Sequence, residues 1–141
     1  MNDYFPVVEL VSPEIIKVIG EKAALKLVHV NIRAGLNLLR EDLGIPLYIN
    51  GMYKGRRFKY SGVRSLGCKI GASRSRHKPI YDDQAFDLKC TDMDKLWGLV
   101  KEGYKKYGIR RVEARKHTPG WMHAEFSFTP VNGKLVVFKP K

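Results

Sequence analysis

The chain has 141 residues, the size of one domain, and its 44% hydrophobic and 11% aromatic content is enough for a packed core, which excludes a disordered chain. Its formal net charge of +12 and pI near 9.8 imply attraction to polyanions, whether nucleic acid, anionic lipid or cell-wall polymer. Two cysteines, Cys68 and Cys90, are too few for a disulfide scaffold and are read as two separate buried thiols, with a single disulfide between them as the alternative.

The N-terminal stretch MNDYFPVVEL has no basic segment followed by an apolar run, so no signal peptide is expected. No apolar run approaches the roughly 20 residues that a membrane span needs. Ser12-Pro13-Glu14 announces the first helix: an N-cap, a proline at the first helical position and an acid near the positive helix end. Leu25, Val28, Ile32, Leu36, Leu39 and Leu43 then recur in steps of three and four, one apolar stripe of a helix. Gly20 divides the stretch into a short helix and a longer one, and Gly44 with Pro46 beyond it ends the second.

Pro46 to Asn50 reads as a short strand. Gly51 to Arg74 is rich in Gly, Arg, Lys and Tyr without a sustained period, and reads as a long loop or irregular hairpin of the kind that carries function. Gln84 to Lys89 is the next strand. Thr91 is expected to cap a second helix, with Asp94 completing a capping box; its apolar face is Met93, Leu96, Trp97, Val100, Tyr104 and Tyr107, and Gly108 ends it. Ile109 to Arg115, Trp121 to Phe128 and Lys134 to Phe138 complete the chain as antiparallel strands, the last two joined through Pro130-Val131-Asn132-Gly133. The expected fold is α+β, a single domain over residues 1–141 with a mostly antiparallel sheet and flanking helices.

Four histidines are present. His29 falls in the middle of the long helix and His117 in the turn His117-Thr118-Pro119-Gly120, and both are read as ordinary polar positions. His77 and His123 have more informative neighbours. Zinc accepts imidazole nitrogen and carboxylate oxygen, and a hydrolytic site keeps three protein ligands with one position open for water. His77, Asp87 and His123 supply such a set.

The sequence Ser75-Arg76-His77, then Ala85-Phe86-Asp87, then Trp121-Met122-His123 resembles, in the same order, the motifs of the zinc D-alanyl-D-alanine carboxypeptidases and related phage endolysins, which share their fold with the hedgehog signalling domain. Ser61-Gly62-Val63-Arg64-Ser65 is similar to the family's Ser-Gly-Tyr-Arg segment, and Tyr48 to Gly55 to the strand and loop before it. The resemblance covers about residues 30 to 128. It departs from the family in two places. The step from His77 to Asp87 is ten residues, longer than usual and without the family's loop glycine, which leaves Asp83 as a rival ligand. The position three before His123, acidic in many relatives, is Gly120.

The resemblance implies a zinc peptidase acting on peptidoglycan peptides that contain D-amino acids, as a carboxypeptidase or crosslink-cutting endopeptidase. Glu113 is the general-base candidate. A hairpin centred on Thr118 sets Glu113 opposite His123 and on the same face, and Glu125 is the fallback, two residues along the strand from His123. Arg64 is the candidate for holding a substrate carboxylate by paired hydrogen bonds. Ser75 would support the site from behind, and Trp121 would pack in the core or line the cleft. Delivery to the wall, from a phage virion or the host cytoplasm, would need another agent. Two other functions fit the residues: a catalytically inactive wall-binding protein on the same fold, and a basic nucleic-acid-binding domain that uses Tyr53, Arg56, Arg57, Phe58 and Tyr60 to grip a single strand.

Overall fold

A computed structural model describes residues 3–49 and 83–139. Four helices come first: α1 (Val7–Leu10), α2 (Pro13–Ile19), α3 (Glu21–Leu25) and α4 (Val30–Leu43). The strands are β1 (Tyr48–Ile49), β2 (Asp83–Lys89), β3 (Ile109–Glu113), β4 (Met122–Ser127) and β5 (Val136–Phe138), with α5 (Met93–Tyr107) between β2 and β3. Among the described residues they form one α+β unit, and no described helix is long and apolar enough to cross a membrane.

The apolar stripe read from the sequence is the core face of the helical layer. Val28, Ile32, Leu36, Leu39 and Leu43 are all buried, each such side chain stabilising the fold by about 1.5–3 kcal/mol. The helix carrying them is shorter than expected, because the chain breaks after α3 and restarts at Val30. His29 therefore lies at the start of α4, where its Nδ1 accepts a hydrogen bond from the Asn31 amide at 3.1 Å. The break is held by Gln84 of β2, which donates to the Leu27 carbonyl at 2.5 Å and accepts from the His29 amide at 3.4 Å. Gly44 and Gly108 end α4 and α5 at φ 73° and 74°, a left-handed conformation that other residues adopt only at a cost.

Two expected caps differ in the structure. Ser12 precedes Pro13, but its side chain makes no capping bond. At α5 the cap is Asp92 instead of Thr91, its carboxylate accepting from the Lys95 amide at 3.0 Å; the helix begins one residue later than the capping-box reading places it.

The sheet order is β1-β2-β4-β3-β5. The pairings β1–β2, β2–β4 and β3–β4 are antiparallel, and β3–β5 is parallel. The last strand thus departs from the expected hairpin with its predecessor. Both edges of β4 are occupied, by β2 and β3, so β5 cannot form a hairpin with it and joins instead at the outer edge of β3. The crossing segment is tied down by Tyr104, whose hydroxyl donates to the Gly133 carbonyl at 2.8 Å.

Alternation divides the sheet into two unlike faces. Phe86, Leu88, Val112, Met122, Ala124 and Phe126 are fully buried and belong to the core cluster shared with α4 and α5. The opposite face carries Asp83, Asp87, Arg111, His123, Glu125 and Ser127. A bulge between Ile109 and Arg111 makes this division work on β3: Ile109 pairs with Phe126 while Arg111 pairs with Glu125. The extra residue, Arg110, resets the alternation. Without it, strict alternation from Ile109 would turn Arg111 towards the core.

Candidate functional site

Strand register brings His123 and Asp87 together. They are direct partners in the β2–β4 ladder, and His123 Nδ1 stands 3.3 Å from Asp87 Oδ1. On the other side of the ring, His123 Nε2 lies 3.5 Å from Glu125 Oε2. The Glu125 side chain is only 3% exposed, and its other oxygen lies 3.7 Å from Arg111 Nη1, an ion pair across the β3–β4 ladder. The Arg111 guanidinium sits 4.4 Å above the centre of the Phe138 ring, and Phe138 meets His123 edge-on at 5.7 Å between ring centres.

This environment favours a cation. Burial alone pushes the His123 imidazole towards the neutral form, but hydrogen bonding to Asp87 and Glu125 outweighs it and raises the pKa to about 9. Two carboxylates flanking one imidazole suit either a proton on the ring or a metal ion beside it.

The His123 and Asp87 donor atoms fit zinc in kind and in spacing. Atoms bound to a tetrahedral zinc at about 2.0–2.1 Å stand about 3.3–3.4 Å apart, matching the Nδ1–Oδ1 separation of 3.3 Å. The expected third ligand, His77, lies outside the described residues. Among the described residues no group of three or more His, Cys, Asp or Glu side chains is arranged to hold a metal ion.

Asp83, the rival ligand, is on the same face of β2 but pairs with Ser127, not His123. It is completely buried and accepts from Arg110 Nη2 at 2.5 Å. Glu113 is half-buried at the end of β3. The last recorded β3–β4 pair is Val112 with Ala124, and the next residues along the two strands are Glu113 and His123. Glu125, the fallback base, lies on the Nε2 side of the ring, away from Asp87. Trp121 is 43% exposed and is not part of the core. His117 is exposed and Cys90 is a buried free thiol whose pKa burial raises. Arg64, Ser75, Cys68, the Gly51–Arg74 loop and the aromatic-basic group Tyr53, Arg56, Arg57, Phe58 and Tyr60 lie outside the described residues.

Arg111 and Phe138 were not legible as site residues. The bulge that turns Arg111 to this face has only a faint sequence signal, the two apolar residues Ile109 and Val112 spaced by three within a strand. Phe138 reaches His123 through the parallel pairing of β5. No protein-family model matches the chain, and neither the curated proteins nor the solved structures compared with it contain a match.

Proposed function

We propose that the chain is a zinc-dependent peptidase that hydrolyses peptidoglycan peptides containing D-amino acids, with His77, Asp87 and His123 as the metal ligands. The observation that carries this reading is the Nδ1–Oδ1 spacing of His123 and Asp87, 3.3 Å between register partners on adjacent strands. The substrate class comes from the motif resemblance, and the +12 charge suits an anionic wall.

Zinc bound here would supply a water of lowered pKa and polarise the scissile carbonyl. Glu113 would accept the proton from that water and pass it to the leaving amine. Arg64 would hold a substrate carboxylate close to the bond that is cut.

The test joins metal content to turnover. Protein purified without added metal should contain about one zinc per chain, lost on His77→Ala or His123→Ala. Wild-type protein should release soluble fragments from purified peptidoglycan, and Glu113→Ala should abolish that release while keeping the zinc. Unchanged release by Glu113→Ala would remove Glu113 as the base. Zinc without any turnover would point to a wall-binding protein on the same scaffold. Absence of zinc, with salt-dependent affinity for single-stranded DNA, would overturn the peptidase reading.

A further inference from the structure

Four side chains on the polar face of the sheet form a closed circuit. Arg111 faces Glu125 at 3.7 Å, Glu125 faces His123 Nε2 at 3.5 Å, His123 meets the Phe138 ring at 5.7 Å, and Phe138 lies beneath Arg111 at 4.4 Å. The peptidase reading uses only His123 from this circuit. We infer that Glu125, braced by Arg111, is a positioning residue: it takes the Nε2–H of His123 and so presents Nδ1 to a divalent cation beside Asp87. The inference rests on the zinc reading of the site.

A neutral imidazole carries one N–H donor and one lone pair, and the partner of one nitrogen decides the role of the other. Both nitrogens face a carboxylate, Nδ1 that of Asp87 and Nε2 that of Glu125. With a divalent cation between Nδ1 and Asp87, Glu125 keeps the one N–H of the neutral ring on Nε2 and leaves the lone pair on Nδ1. Carboxylates behind metal-binding histidines act in this way, fixing tautomer and ring orientation together. Glu125 is suited to the task because it is almost wholly buried, so its position is set by packing.

The β3 bulge turns Arg111 to this face, where its guanidinium stands 3.7 Å from the second oxygen of the buried Glu125 carboxylate. Arg111 is in turn held by its contact with Phe138, an aromatic face that attracts a guanidinium. The same Phe138 presents its edge to His123. The parallel strand β5 therefore fixes both ends of the circuit, which gives that short edge strand a part in shaping the site.

The test is zinc affinity, measured on metal-free protein by competition with a chromophoric chelator. Glu125→Ala should weaken zinc binding by about 10- to 100-fold. Arg111→Met should also weaken it, and Arg111→Lys should recover most of the loss by restoring a cation. Because Arg111 acts through Glu125, Arg111→Met should add nothing in the Glu125→Ala background. Thermal melts of the metal-free variants identify any that fail to fold; for Glu125→Ala the near-isosteric Glu125→Gln then takes its place, and Arg111→Met should again add nothing. Wild-type affinity in both single variants, or losses that simply add in the double variant, would overturn the inference while leaving the zinc site standing. A wild-type protein that binds no zinc would overturn the peptidase reading, and this inference with it.

Discussion

His123 and Asp87 are direct partners across the β2–β4 ladder, so strand register, not a loop, sets their side chains 3.3 Å apart. Register also separates the two aspartates of β2. Asp83 is four residues from Asp87, a distance of about 13 Å at the usual rise per residue of a strand, and its partner on β4 is Ser127.

The aspartates should therefore fail in different ways when replaced. Asp87→Ala should lose the zinc and, in the metal-free protein, remove the hydrogen bond that most favours the His123 cation, so that its stability cost shrinks as the pH rises towards 9. Asp83→Ala leaves Arg110 without its buried acceptor and should cost about 1.5–3 kcal/mol, the usual worth of a hydrogen bond to a charged group, with zinc retained. Metal analysis and urea unfolding of the two variants check this. Zinc lost from Asp83→Ala and kept by Asp87→Ala would reverse the assignment.

Gly35 of α4 sits directly against the backbone at the C-terminal end of α5. A Cβ added there would overlap the backbone carbonyl of Tyr107, an atom that cannot move aside as a side-chain tip can. Alanine ordinarily favours a helix by about 1 kcal/mol over glycine, whereas overpacking of this kind costs about 1–3 kcal/mol. The contact is severe enough for the second effect to win. Gly35→Ala should lower stability by about 2 kcal/mol, read as a shifted urea midpoint; a more stable variant would show that the two helices are not packed so closely.

Much of the fold was legible in the sequence because burial leaves a periodic trace. The stripe from Val28 to Leu43 and the face of α5 are regular in the chain and buried in the structure. What was not legible depends on pairings between distant segments. The break before α4 is held by Gln84, more than fifty residues away. The parallel pairing of β5 with β3 joins segments that are not neighbours in the chain. His123 and Asp87, which the motif resemblance pointed to with Asp83 as a rival, are brought together by the sheet, while Arg111 depends on a bulge and Phe138 on the strand crossing. The position of one side chain relative to another across a sheet has no local signature.

Gln84 gives a direct test of that long-range pinning. Its amide serves the Leu27 carbonyl and the His29 amide from within the core, with only 1% of the residue exposed. Gln84→Leu keeps the volume but leaves both backbone groups without this partner, at about 1–3 kcal/mol for each that stays buried. The loss should be accompanied by faster hydrogen exchange at the His29 amide. Exchange as slow as in the wild type would mean that the junction between α3 and α4 is held by other contacts.

The proton on His123 predicts two pH slopes of opposite sign. In the metal-free protein the imidazole pKa is raised from 6.5 to about 9: burial opposes the charge, but the bonds to Asp87 and Glu125 outweigh it. A raised pKa means that the folded state binds the proton more tightly than the unfolded one. The resulting stabilisation is fully present below pH 6.5 and is lost as the pH rises towards 9. Melts of chelator-treated wild-type protein should therefore show stability falling across that window relative to His123→Gln, which lacks the titration. Zinc must displace the same proton from Nδ1, so its affinity should rise over the same interval. If metal-free stability instead rises with pH relative to His123→Gln, the imidazole is neutral in the folded protein and the two carboxylates do not hold it as a cation.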